Sequence, residues 1–347
     1  MGEYRFTLDR SSKKFKCPEC GQRTFVLYID KETGEYIPEQ YGRCDREDNC
    51  SYNLNPYKDG YAKAIILQEH ENNSTHRTQT NAHSRKELVK PQTFIPETVM
   101  METLKGWEQN TFIQNLLHRV PYPMASNDIE RVIGLYGIGT VCNGKMSGAV
   151  TFPFIDINMN IWTIQAKQFG KTNHTLKTDF LHSILEYDFK NKNLALPSWL
   201  ETYLWNDKKV GCLFGEHLLK QYSKNPVALV EAPKTAVIGN LYFGFPDKSD
   251  SLLWLAVYNL SSLSYEKCKV LEGRRVILFP DLSKHGRAYL LWSKKAEEFN
   301  RTIPRTRFVV SNLLEKNANT EAREKGLDLA DYLICQDWRS YRKESKR

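Results

Sequence analysis

Apolar residues in this chain recur either in short unbroken runs or at helical spacing, and in the C-terminal half the two patterns alternate. Val227-Ala-Leu-Val230 is an unbroken run that stops at Glu231. Ala-Pro-Lys-Thr-Ala-Val-Ile follows, with Pro233 suited to the first turn of a helix. A second run, Leu253-Trp-Leu-Ala-Val257, precedes a helical stretch from Ser264 to Leu271. A third, Arg275-Val-Ile-Leu-Phe279, stops at Pro280-Asp281-Leu-Ser283 before another helical pattern, and Phe308-Val-Val310 is the fourth. The alternation predicts an α/β fold with a parallel sheet. Right-handed helical crossovers then bring the C-terminal strand ends to one edge, where open α/β folds hold their ligands. Glu231 and Asp281 are expected to meet there.

Upstream the texture differs. Asn110 to Val120 has helical periodicity, with Phe112, Ile113, Leu116, Leu117 and Val120 on one face. A second helix runs from Ser126 to Leu135, with Ser126 or Asn127 as its cap, and stops near Gly137 and Gly139. Gly148–Asp156 and Ile161–Phe169 read as strands joined by a turn at Asn158-Met-Asn160. Residues 68–92, including His70, His76 and His83, are nearly devoid of apolar residues and read as a flexible linker. Near the N-terminus, Thr24–Ile29 and Glu35-Tyr-Ile37 read as two strands around the turn Asp30–Gly34.

The 49 basic and 41 acidic residues leave a net charge of +8. That is basic enough to permit nucleic-acid binding without requiring it. Basic residues gather at Arg10, Lys13, Lys14 and Lys16, and again at Arg339, Arg342, Lys343, Lys346 and Arg347. No apolar run approaches the ~18 residues of a membrane span and no signal-peptide core is present, so a cytoplasmic protein is expected. Four of the eight cysteines lie in Cys17-Pro-Glu-Cys20 and Cys44-Asp-Arg-Glu-Asp-Asn-Cys50. Two such pairs, brought together by a hairpin, suit a structural Zn²⁺ site, and a segment this poor in apolar residues needs a staple. Cys142, Cys212, Cys268 and Cys335 read as core or element-end residues.

With its Glu after the first strand and Asp281 after the third, the C-terminal half resembles the Toprim domain shared by bacterial primases, topoisomerases and some nucleases. The family carries an Asp-x-Asp where this chain has Asp281-Leu-Ser283, and a turn glycine where it has Asn259 and Leu260. The cysteine segment, with its turn Gly42-Arg-Cys-Asp-Arg-Glu, resembles the N-terminal zinc ribbon of primases, especially those of Bacteroides-type plasmids and conjugative elements. The strand pair around Gly148–Phe169 resembles the basic subdomain that precedes the Toprim in primases.

The resemblance implies five segments. These are a ribbon (1–60), a linker (61–93), a primase-type α+β subdomain (94–215), a Toprim domain (216–338) and a basic tail (339–347). Glu231, Asp281, Ser283 and Lys234 would be catalytic, and Glu231, Asp281, Asp328 and Asp331 would hold Mg²⁺ or Mn²⁺. Asp328 reads equally as a helix cap, and Lys234 either contacts phosphate or pairs with Glu231. Lys167, Lys14, Lys16 and Arg43 are candidate nucleic-acid or nucleotide contacts, with Gln165 on the same face as Lys167. Glu216 and His217 read as packing and capping groups or as an acid pair. The implied function is that of a mobile-element DNA primase, with single-stranded DNA, ribonucleotides and a helicase or relaxase as partners. Two rivals remain: a non-catalytic DNA-binding accessory with an altered metal site, and a Toprim nuclease.

Overall fold

The computed structural model describes residues 4–46, 50–62, 65, 92–206 and 210–342. Residues 66–91 of the expected linker, with its three histidines, and Lys343, Lys346 and Arg347 lie outside the described residues, whereas Ala62, expected in the linker, is buried in the core of the first unit. The rest group into two compact units, one within residues 1–88 and the other within 89–347. Among the described residues no helix is long and apolar enough to cross a membrane.

The first unit is an antiparallel sheet of β1 (Phe6–Leu8), β2 (Phe25–Asp30), β3 (Gly42–Cys44) and β4 (Asn53–Leu54), paired in chain order. The partner strand of β2 is therefore Gly42–Cys44. The expected strand at Glu35–Ile37 makes only a single bridge, Tyr36 to Ile29. Pro38 follows at once, and its ring removes a donor while the chain turns so that Tyr41 N–H bonds Pro38 O. Phe25, Tyr28 and Tyr41 are buried in the small core, whereas Phe15 and Tyr52 are partly exposed.

The second unit holds two sheets. β5 (Gly139–Thr140), β6 (Val150–Ile155), β7 (Ile161–Phe169) and β8 (Thr175–Phe180) form an antiparallel sheet in chain order. The helix Thr111–His118 packs on it, capped by the Asn110 side chain. The helix Ser126–Tyr136 has Ala125 at its N-cap with no side-chain cap, instead of the expected Ser126 or Asn127, and ends on left-handed Gly137.

The other sheet is wholly parallel, in the order β10 (Leu253–Ala256), β9 (Val227–Val230), β11 (Arg275–Phe279), β12 (Arg307–Val310). All four residues of the central strand β9 are buried, as they must be when both faces are covered, and so are those of the outer strand β10, which Phe214 flanks through a bridge to Ala256. The helix Pro233–Phe243 is buried around almost its whole circumference. The Ser264–Leu271 segment divides into the helix Tyr265–Cys268 and a 3-10 turn, Lys269–Leu271.

The two sheets share one core. Phe152 and Phe154 of β6 meet Phe214, Phe214 bridges Ala256, and Tyr136 donates its hydroxyl to Trp254 O. Gly239 lies flat against the fully buried Trp254, whose ring atoms stand 2.4–2.6 Å from where a Cβ would be. Gly239→Ala must displace the indole, so chemical denaturation of the full chain is expected to show a loss of about 1–3 kcal/mol. An unchanged midpoint would mean that the indole moves freely.

Candidate functional site

The helix after β9 leads to β10 on one side, and the helix after β11 leads to β12 on the other. The chain thus leaves β9 and β11 in opposite directions, which opens a crevice between their C-terminal ends. Glu231 follows β9 and Asp281 follows β11 across that crevice. Asp281 N–H donates to Glu231 Oε1 at 3.1 Å. Glu231 is buried and Asp281 half-buried.

Lys234 begins the helix after β9, but its partners are Asp328 and Asp331, at 2.9 and 2.7 Å, and not Glu231. Asp328 caps the helix Leu329–Leu333 in a reciprocal box. Its Oδ1 accepts from Asp331 N–H and its own N–H donates to Asp331 Oδ2. Thr235 Oγ1 donates to Asp328 Oδ2 at 3.0 Å. All four carboxylate oxygens are thereby engaged by the protein. Burial disfavours the Lys234 ammonium, yet the two carboxylates outweigh it and hold the pKa above its ordinary value. Burial likewise opposes the Asp328 charge, but Lys234 reverses this and lowers the pKa. Asp331 is only half-buried, yet desolvation and the Asp328 charge beside it raise its pKa.

Ser283 is fully buried, and its hydroxyl accepts from Ala288 N–H at 2.8 Å in the first turn of the helix Arg287–Thr302. Its hydroxyl is thus engaged by its own helix. Lys167 of β7, in the other sheet, interacts electrostatically with Lys234, Asp328 and Asp281. Its ammonium end is enclosed, and desolvation, reinforced by Lys234, pushes the pKa down to about 8 against the pull of the two aspartates.

Glu216, which opens a 3-10 turn, accepts from Leu213 N–H and Ile157 N–H and so ties the two sheets together; burial raises its pKa. His217 contacts Leu135 O. Two features had not been singled out in the sequence. Lys267 is buried, donates to Val257 O at 2.9 Å and is pushed by burial to a pKa of about 8. Tyr258, directly after the second apolar run, carries φ +116°. The glycine-like backbone therefore falls at Tyr258, ahead of Asn259 and Leu260.

In the first unit the sulfurs of Cys17, Cys20, Cys44 and Cys50 all lie within 4.8 Å of one another, with Cys17–Cys50 at 3.5 Å and Cys20–Cys44 at 3.9 Å. Zn–S bonds of ~2.3 Å in a tetrahedron require sulfur separations of this size. Burial raises the Cys44 thiol and pushes Cys50 up to about 12, a cost that a dication removes. Lys14 pairs with Asp45, Arg43 lies 3.9 Å from the same carboxylate, and Lys16 is exposed nearby in sequence. Of the basic C-terminal residues, Arg342 is pinned to Asp128 and Leu241 O, and Arg339 to Asp337.

Residues 4–65 match the family model of a zinc beta-ribbon finger, and residues 110–282 match that of a domain of unknown function, DUF6371. No curated protein matches the sequence. Among solved structures the chain is similar to the primase fragment of the bacteriophage T7 primase-helicase protein, at 13% identity over 86% of this chain and 88% of that one, with a TM-score of 0.31. It is also similar to a DnaG primase catalytic domain bound to ssDNA, at 16% identity over 73% and 83%, TM-score 0.39. A third is the Aquifex aeolicus primase comprising zinc-binding and RNA polymerase domains, at 13% identity over 91% and 79%, TM-score 0.32. These likenesses are loose.

Two outcomes follow from the geometry. Metal analysis of the purified chain is expected to find one zinc per molecule, and Cys17→Ser to release it while the β9–β12 sheet still melts cooperatively; zinc-free native protein would contradict the ribbon. Lys234→Met leaves the buried Asp328 and the half-buried Asp331 without their cation and is expected to cost about 3–5 kcal/mol at neutral pH. In the wild type the lowered Asp328 pKa adds stability that is present above the unfolded value of 3.8 and lost as pH falls through the folded one. Without Lys234, burial alone raises the Asp328 pKa, so acidification from pH 7 to 5 should narrow the gap between mutant and wild type. A pH-independent gap would refute the ion-pair account.

Proposed function

We propose that this protein is a primase-type nucleic-acid enzyme, in which the zinc ribbon engages single-stranded DNA and the β9–β11 crevice handles ribonucleotides. The observation that supports the reading is that Lys167, from one sheet, interacts electrostatically with Asp281, whose N–H binds Glu231 at the strand-end crevice of the other. A cation that interacts with one of two paired carboxylates suits phosphate chemistry, because the lysine attracts phosphate while the acids hold a divalent metal beside it.

Glu231 and Asp281 are the residues that would hold Mg²⁺ or Mn²⁺. Two carboxylates suffice for an ion that keeps several of its waters. Such an ion would neutralise charge on the phosphate oxygens. Asp328 and Asp331 act in this reading through Lys234, whose charge they balance, and Ser283 by starting the helix that follows Asp281. Lys167, with a pKa near 8, is mostly protonated at neutral pH and loses its attraction for phosphate as pH rises beyond that value. On the ribbon, Lys14, Lys16 and Arg43 would follow the DNA backbone while Phe15 and Tyr52, partly exposed, offer stacking surfaces. A helicase or relaxase of a mobile element is the kind of partner that would supply the single strand.

A second reading, the non-catalytic accessory, is favoured by one observation: where the resembled family has a second aspartate, this chain has a neutral Ser283, buried and accepting from Ala288 N–H. Primer synthesis from radiolabelled ribonucleotides on single-stranded DNA separates the two. With Mg²⁺ or Mn²⁺ the wild type is expected to make short primers, and Asp281→Ala and Lys167→Ala to reduce them by about 100-fold or more. DNA binding should weaken steeply with salt and survive Asp281→Ala. A wild type that binds single strands but yields no product under either metal would overturn the enzyme in favour of the accessory.

A further inference from the structure

Beyond the acidic pair, the crevice has an aromatic and amide wall. Past the end of β10, Val257 N–H donates to Val230 O and Tyr258 N–H donates to Glu231 O at 2.9 Å, so Tyr258 sits beside the first acidic residue. Its φ of +116° is a conformation that strains a residue bearing a Cβ by about 1–3 kcal/mol, and such strain collects at ligand sites. The Tyr258 ring stacks on Phe180, with centroids 5.8 Å apart and planes at 22°, and meets Phe154 edge-on at 6.1 Å. Phe180 stacks in turn on His182. Both Tyr258 and Phe180 remain partly exposed.

Phe180 lies directly opposite Gln165 in the β7–β8 register, and Lys167 lies two residues further along the same face of β7, at a separation of ~6.6 Å. Gln165 is only 2% exposed, and its Oε1 has no hydrogen-bond partner among the described residues. A buried amide oxygen without a donor is costly, and a bound N–H would remove that cost.

We propose that this wall is the base subsite for an incoming nucleoside triphosphate: the Tyr258 ring, backed by Phe180, provides the stacking surface, and Gln165 Oε1 accepts an N–H from the base edge while Lys167 meets the phosphates. The inference rests on the nucleotide-handling reading above and adds its base-recognition element. Aromatic faces accept any base, whereas a buried amide oxygen favours the base that presents a donor in register.

The test is calorimetric titration of the full chain, in Mg²⁺, with each of the four ribonucleoside triphosphates and with inorganic triphosphate. It compares wild type, Gln165→Leu and Tyr258→Gly. Glycine removes the ring while relieving the backbone strain, so Tyr258→Gly is expected to melt no lower than a loss of ring packing alone would bring it, and far above the assay temperature. Each variant should bind its best nucleotide about tenfold more weakly. Gln165→Leu should also flatten the preference among bases, and both should bind inorganic triphosphate like the wild type. Nucleotide affinities unchanged in both variants, or a parallel loss for inorganic triphosphate, would overturn the base subsite. A wild type that binds all five ligands equally would overturn it too, leaving the phosphate site standing. A wild type that binds none of them would remove the nucleotide reading itself and this inference with it.

Discussion

A parallel strand can bury both faces and pair along both edges only at the centre of a sheet, and β9 does so. Its residues are therefore apolar without interruption, and the first polar residue after Val230 must emerge at the C-terminal edge. That residue is Glu231. Because β9 hands its helix to one side and β11 hands its helix to the other, the edge opens there, and Asp281 N–H closes onto the Glu231 carboxylate. The position of the candidate site is thus a consequence of the sheet's connectivity. The antiparallel sheet then supplies one wall, joined to the parallel sheet through Phe214, Tyr136 and Glu216.

Charge balance at this edge is set by a buried cation. Lys234 could not remain charged in so enclosed a place without Asp328 and Asp331, and those two could not both remain charged there without Lys234. The helix after β9 is in this way tied to the last helix of the chain, which follows β12. The arrangement engages every oxygen of two acids, which leaves Glu231 and Asp281 as the acidic pair of the crevice, with Lys167 interacting electrostatically with Asp281. Lys267 is a second buried cation, held mainly by the Val257 carbonyl just before the strained Tyr258. Both lysines brace the loops that follow β9 and β10.

Much of this was legible from residue order. Unbroken apolar runs ending on acids identified the parallel sheet and the edge at which Glu231 and Asp281 meet, since strand burial and crossover handedness act on pattern and not on side-chain detail. Paired cysteines identified the thiolate cluster because only their approach makes chemical sense of the spacing. The strand expected at Glu35–Ile37 was displaced to Gly42–Cys44, for Pro38 interrupts pairing in a way that local apolar content does not register. The glycine-like turn was sought at Asn259 and Leu260, whereas the positive φ falls on Tyr258, where tertiary stacking compensates for a backbone that no propensity would assign to tyrosine.

What the sequence by itself determined was which residues are buried and which stand at strand ends, for both follow from hydrophobic periodicity. Only the tertiary structure decided the partners: Lys234 with Asp328 and Asp331 across almost a hundred residues, Ser283 engaged by its own helix, and Lys167 of one sheet interacting with Asp281 at the acidic edge of another. Contacts between side chains distant in sequence depend on how two sheets pack, and that packing is settled by the summed burial of the whole core, which no single segment encodes.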